Sequence, residues 1–285
     1  MSARRSLRAN GKSMIVHESN AAYHASAPLS KSRLWEMRKT PQYFRWFEEH
    51  RAEIPTTDAM VMGSAFHKLV LEPDGFASEF AVCPTVDRRT KAGKEAWAAF
   101  QTDAGEKTVL MEWMYAQVSA MAEAVKAHPM ARFLTTDGEV ETSIYYKDDL
   151  TGIECKVRPD IIVRDKHGRI IVDLKSCVSA ATEDFRRQAI NMGYDMQAAM
   201  YREGVKAETG EECRFIFVAV EKEPPYLINI INCDELFIKR GYDVYRQYIG
   251  LYKECSESGN WYGHNGVFEE INNMGLPAWL AAQYE

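Results

Sequence analysis

The chain has 285 residues, 46% hydrophobic and 27% charged, with 35 Lys+Arg against 41 Asp+Glu for a formal charge of −6. A chain of this length can bury roughly three quarters of its unfolded surface, so it needs neither disulfides nor a structural metal for stability. No stretch approaches the roughly 20 apolar residues of a membrane span, and the negative balance, taken alone, argues against a nucleic-acid partner.

Residues 1–20 open with the basic run Met1-Ser2-Ala3-Arg4-Arg5-Ser6-Leu7-Arg8. This lacks the apolar stretch of a secretory signal and reads as a mobile arm. Ser30 is placed to cap a helix through Arg38, and Pro41 to open another through Glu49. Residues Met62, Ala65, Phe66, Leu69 and Val70 form a helical stripe within Met60–Leu71 that ends before Pro73. A long helix is expected over Thr108–Ala127, stopped by His128-Pro129. Strands follow at Glu139–Tyr146, Ile153–Val163, Ile170–Leu174, Phe215–Val220 and Tyr226–Ile231, all rich in β-branched and aromatic residues. Helical patterns return at Thr182–Asn191, Tyr194–Glu208 and Asp234–Glu254. This order predicts one α/β domain over 1–285, with a mixed central sheet flanked by helices and a helical N-terminal region. Cysteines 83, 155, 177, 213, 233 and 255 are too scattered for a zinc or cluster motif. They fit a reducing cytoplasm, where thiols fill core space.

The chemistry concentrates in residues 153–175, where two apolar runs flank the turn Asp165-Lys166-His167-Gly168. A symmetric turn sets Ile162 against Ile171, Ile161 against Val172, Asp160 against Asp173 and Arg158 against Lys175. Alternation then gives one apolar face, Val157, Ile161, Val163, Ile170, Val172 and Leu174. The other face carries Arg158, Asp160, Asp173 and Lys175, with Ile162 and Ile171 nearer the turn. Opposed carboxylates about 5 Å apart repel unless a cation lies between them. Mg²⁺, which takes one or two carboxylates with waters and phosphate oxygens, resolves the conflict. The bland alternative is a solvated polar face with Arg158 and Lys175 neutralising the two aspartates.

Arg158-Pro159-Asp160 followed by Asp173-Leu174-Lys175 resembles the core of the PD-(D/E)XK nuclease superfamily. More narrowly, five further segments resemble, in the same order, the RecE (exonuclease VIII) nucleases of phages and prophages. They are Tyr23-His24-Ala25 with Leu29-Ser30-Lys31-Ser32, then Gly63-Ser64-Ala65-Phe66-His67 and Leu71-Glu72-Pro73. Arg89-Thr90-Lys91-Ala92-Gly93-Lys94 and Gly193 to Tyr201 complete the set.

The resemblance implies a restriction-endonuclease-like fold with its catalytic core at about residues 60–231. It implies a Mg²⁺-dependent exodeoxyribonuclease, with Mn²⁺ able to substitute and one or two ions per site. His67, Asp160, Asp173 and the Leu174 carbonyl are the expected metal ligands, and Lys175 the residue that orients water. Glu141, with Glu139 as rival, is expected to help hold a second ion. Gln197 and Tyr201, one helical turn apart, match a QxxxY motif that arranges the site. Gly63 is expected to admit a close backbone.

Arg88, Arg89, Lys91 and Lys94, with Arg186 and Arg187, are the candidate DNA-phosphate contacts. A second basic and aromatic cluster combines Arg33, Arg38, Lys39 and Arg45 with Trp35, Tyr43, Trp46 and Phe47. The expected substrate is a double-stranded DNA end, resected 5′ to 3′ to leave a 3′ overhang for recombination. Expected partners are a RecT-like annealing protein and further copies of the chain in a trimeric or tetrameric ring. The expected setting is a bacterial cytoplasm with a phage or prophage gene. A RecB- or Cas4-like nuclease, or a DNA-binding module without chemistry, are the alternatives.

Overall fold

The computed structural model describes residues 5–7, 13–87, 89–268 and 271–284. Arg88, one of the candidate phosphate contacts, lies outside the described residues.

The central sheet has five strands in the order Ile228–Asn232, Cys213–Glu221, Gly168–Cys177, Ile161–Asp165 and Glu139–Val140. It is mixed, as expected: Cys213–Glu221 runs parallel to Gly168–Cys177, and the other neighbours are antiparallel. The hairpin register is the predicted one, with Asp165 against Gly168, Ile162 against Ile171 and Ile161 against Val172. The local turn fixes it, and a one-residue slip would turn the Ile161 row away from its core.

Both faces of this sheet are buried. On one, Ile161, Val163, Ile170, Val172 and Leu174 pack against Ala65 and Phe66 of helix Asp58–Leu71 and Met114, Val118 and Met121 of helix Glu112–Ala127. On the other, Ile162, Ile171, Phe215 and Phe217 pack against Phe185, Met196 and Met200 and against Tyr245 of helix Glu235–Ser258. Each such aliphatic or aromatic side chain contributes roughly 1.5–3 kcal/mol by leaving water. The polar face of the hairpin is therefore not solvated: helices Thr182–Asn191 and Tyr194–Thr209 lie over it. Val157 joins this second cluster instead of the Ile161 row. Gly241 allows the close packing of the last long helix, since a Cβ there would sit 1.9 Å from the Asp195 carbonyl oxygen.

Four strands, Arg5–Leu7, Ser13–Val16, Ser143–Lys147 and Glu154–Val157, form a separate antiparallel sheet. The segment expected as a mobile arm thus contributes Ser13–Val16 as a paired strand. Two strands expected to be continuous are each broken where the chain crosses between the sheets. Glu139–Tyr146 breaks at Glu141, whose φ is 46°, and Ile153–Val163 breaks at Arg158-Pro159-Asp160, where proline cannot donate to a ladder.

The long helix expected from Thr108 begins only at Glu112. Residues Thr108–Met111 instead pair in parallel with Phe80–Cys83 and bury Leu110. The basic segment after Arg89 forms an unanticipated helix, Lys91–Ala104, whose first turn is capped by Thr90. Among the described residues, no helix is long and apolar enough to cross a membrane.

Candidate metal centre and active site

The two broken strands meet at the site. Strand Glu139–Val140 pairs with Ile162 and Ile161 and then ends. The backbone N–H of Glu141 donates to the Asp160 carbonyl at 3.0 Å, so the two carboxylate-bearing residues are tied by their main chains. The left-handed backbone at Glu141 redirects its side chain, whereas Glu139 stays in register and pairs with Arg169 at 3.1 Å on the surface. Between the rival acids, Glu141 is the one at the site.

Asp160 lies one residue beyond the last ladder pair and does not oppose Asp173 as the symmetric register predicted. Pro159 ends the pairing, and the Asp160 carboxylate turns back to accept from the Leu174 N–H at 2.7 Å. Its other oxygen is 3.4 Å from His67 Nδ1. His67 comes from helix Asp58–Leu71, started by Thr57, whose side chain accepts from the Met60 N–H. The far side of its ring, Nε2, lies 3.0 Å from the Leu174 carbonyl oxygen. Gly63 does not serve the close approach expected of it: a Cβ there would meet nothing within 4 Å.

One ligand atom from each of His67, Glu141 and Asp160 lies within 4.8 Å of the others. Their ionisation shows the strain of that gathering. Burial and the Asp160 charge push Glu141 up to about 7. Burial also opposes ionised Asp160, but His67, Lys175 and the Leu174 N–H outweigh it and lower its pKa. Burial disfavours protonated His67, yet the Asp160 carboxylate wins and raises its pKa to about 9. Two crowded carboxylates, one imidazole and a backbone carbonyl form a donor set that suits a divalent cation.

Asp173 stands just behind this cluster and is fully buried. Gln197 Nε2 donates to its Oδ1 at 2.5 Å, and Lys175 Nζ forms an ion pair with its other oxygen. Burial raises the Asp173 pKa to about 6 against the pull of Lys175. Burial likewise opposes charge on Lys175, but Asp173 and Asp160 outweigh it and raise its pKa. Lys175 Nζ also sits 4.9 Å from the centre of the Tyr194 ring. Tyr201, one turn after Gln197, is half-buried and lines a cleft of about 520 Å³ together with His67, Glu141 and Asp160.

The candidate DNA contacts are elsewhere. Arg89, Lys91 and Lys94 are exposed, with Arg89 paired to Asp87 and Lys91 near Glu95. Arg186 and Arg187 pair with Glu183 and Asp184 of their own helix, and none of these five cations lines the cleft. In the second cluster, Arg33 is tied to Glu48 and Arg45 to Glu49, while Lys39 lies over the Tyr43 ring.

Three further residues of the cleft wall, Arg158, Glu18 and Tyr23, take places that the sequence did not indicate. Arg158 does not face Lys175; it turns to Ser143 and Glu18. Glu18, distant in sequence and inside the supposed arm, gave no local signal. Tyr23 was visible as part of a motif, but its place in the cleft wall was not.

A family model for a PDDEXK-like domain of unknown function (DUF3799) matches residues 30–273. No curated protein matches the sequence significantly. Among solved structures, a candidate exonuclease from Eubacterium rectale superimposes with a TM-score of 0.61 at 16% identity. The alignment covers 93% of this chain and 98% of that one. That likeness concerns the fold. A second structure, of the protein SSO0001, reaches a TM-score of only 0.28 at 17% identity over 73% of this chain and 83% of the other.

Proposed function

The chain belongs to the PDDEXK-like domain family of unknown function (DUF3799), and from that premise we propose that it is a divalent-metal-dependent nuclease acting on DNA ends. The observation that carries this reading is the convergence, at one cleft, of His67, Glu141 and Asp160 in front of the Gln197–Asp173–Lys175 chain. These groups come from sequence positions spread over more than a hundred residues. A solvated polar face would have no reason to bury Asp173 completely with a half-buried Lys175 paired to it.

His67, Glu141 and Asp160 would hold the cation, assisted by the Leu174 carbonyl and by Asp173 when its partners release an oxygen. When bound, the cation supplies Lewis-acid polarisation of a phosphate oxygen and a lowered pKa for water. The protein's own part follows from the geometry. Lys175, kept protonated by Asp173, orients the attacking water and offsets negative charge developing on the phosphate. Gln197 holds Asp173 in place, and Tyr201 shapes the wall against which the strand lies. Glu141 is the residue that would carry a second ion.

Within this reading the ion is Mg²⁺, with Mn²⁺ able to substitute, and the substrate is the end of a linear duplex. Digestion proceeds 5′ to 3′ and leaves a 3′ strand for recombination. A ring of identical subunits around the duplex and a RecT-like annealing partner extend the same proposal. Its setting is a bacterial cytoplasm and its source a phage or prophage.

The test is to incubate the purified chain with linear duplex, nicked circular duplex and single-stranded DNA, in Mg²⁺ or EDTA, beside Asp173→Ala. Mg²⁺-dependent loss of linear duplex alone is expected, abolished in the variant. Equal cutting of nicked circles would overturn the exonuclease reading, and an unchanged Asp173→Ala rate would overturn the site.

A further inference from the structure

The chain crosses between the two sheets twice, and both crossings are sealed by the same residue. Glu141-Thr142-Ser143 leads from the central sheet to the four-stranded sheet, and Arg158-Pro159-Asp160 leads back. At one end the crossings are joined by the Glu141 N–H donating to the Asp160 carbonyl at 3.0 Å. At the other end Arg158 donates to Ser143 Oγ from both Nε, at 2.9 Å, and a terminal nitrogen, at 2.6 Å. Ser143 lies two residues after Glu141, and Arg158 two residues before Asp160. The two bridges therefore close a small frame whose corners carry the two carboxylates.

Arg158 also holds the opposite wall of the cleft. A terminal nitrogen donates to the Glu18 carbonyl at 3.3 Å and lies 3.6 Å from the Glu18 carboxylate. The other terminal nitrogen donates to Asn20 Oδ1 at 3.5 Å. Its guanidinium carbon is 4.3 Å from the centre of the Tyr23 ring, and Tyr145 fixes Glu18 from behind with a hydroxyl bond of 2.6 Å. Arg158 is only 7% exposed and Ser143 fully buried. A guanidinium buried to that extent against one carboxylate at 3.6 Å regains little of its desolvation cost as stability, so its planar, two-pronged donor geometry is the property that matters.

We infer that Arg158 is a positioning residue that sets the separation of Glu141 and Asp160 and fixes the facing Glu18–Tyr23 wall, so that the cleft is preformed for a divalent cation. The inference rests on the metal-site reading above. It adds a residue that touches neither cation nor substrate and acts through Ser143.

The test uses the full-length protein titrated calorimetrically with MnCl₂ alone, without DNA. Arg158→Lys keeps the charge but cannot donate twice to Ser143 while reaching Glu18. Ser143→Ala removes the acceptor with little change in volume and stands in should the arginine variant fail to fold. Each folded variant is expected to bind Mn²⁺ on the order of 10–100-fold more weakly, as for other groups that orient metal ligands. Arg246→Lys, which loosens a buried ion pair away from the site, serves as the control and is expected to bind Mn²⁺ like the wild type. Wild-type affinity in folded Arg158→Lys or Ser143→Ala overturns the inference, as does an equal loss in the control. A wild type that binds Mn²⁺ but cuts no DNA would remove the nuclease reading and leave this one to be decided by the affinities.

Discussion

Gln197 holds Asp173 by a single short bond, from its carboxamide nitrogen to Oδ1 at 2.5 Å. Helix Tyr194–Thr209 is thereby locked to the central strand at the position that also carries the ion pair to Lys175. Gln197→Ala leaves that oxygen of a fully buried carboxylate without its donor, at a cost of about 1–3 kcal/mol. A fall in melting temperature is expected together with a loss of turnover on linear duplex on the order of tenfold or more. Thermal unfolding and a single-turnover assay check the two effects separately. Normal turnover in a folded Gln197→Ala would remove the glutamine from the site.

The rival acids give a sharper contrast. Glu141 sits with His67 and Asp160, whereas Glu139, two residues earlier, pairs with Arg169 on the surface. Glu141→Gln and Asp160→Asn should each weaken Mn²⁺ binding strongly, and Glu139→Gln should leave it unchanged. Calorimetric titration with MnCl₂ decides this, and equal loss in Glu139→Gln would mean that the acids act through general surface charge.

His67 makes metal binding depend on pH. Its pKa, raised to about 9 because the Asp160 carboxylate outweighs burial, leaves the ring protonated at neutrality. A cation must displace that proton, so apparent Mn²⁺ affinity should rise as pH rises from 7 towards 9, with proton release on binding. His67→Gln should bind more weakly at high pH and lose most of this dependence. A wild-type affinity flat across that interval would show that His67 is not a ligand.

A prediction remote from the site concerns acid stability. Asp148 is buried and accepts from both terminal nitrogens of Arg246, at 2.5 and 2.8 Å, and from Thr151. Burial alone would raise its pKa, but these bonds prevail and lower it from 3.8 to about 2. A carboxylate whose pKa is lower folded than unfolded stabilises the fold above its unfolded pKa. That contribution is lost as pH falls from about 4 to 2. Asp148→Asn should cost about 2 kcal/mol at pH 7, and its deficit against the wild type should shrink towards pH 2. Denaturant unfolding at the two pH values measures it.

By itself the sequence determined the elements whose geometry is local. The hairpin turn sets its own register, so Ile161 against Val172 followed from counting outward from Asp165 and Gly168. Helical spacing put Gln197 and Tyr201 on one face, and the run of β-branched residues marked the central strands. What it could not supply depends on contacts between distant segments. That Asp160 leaves the ladder, that Glu141 and not Glu139 turns inward, and that Arg158 faces Ser143 all follow from the chain changing sheets at the same two places. Alternation along one strand assumes that the strand stays in one sheet, and that assumption fails where Pro159 and the left-handed Glu141 interrupt it. The negative total charge was equally local in meaning, since it includes carboxylates gathered at one cleft that only the folded chain brings within reach of a single cation.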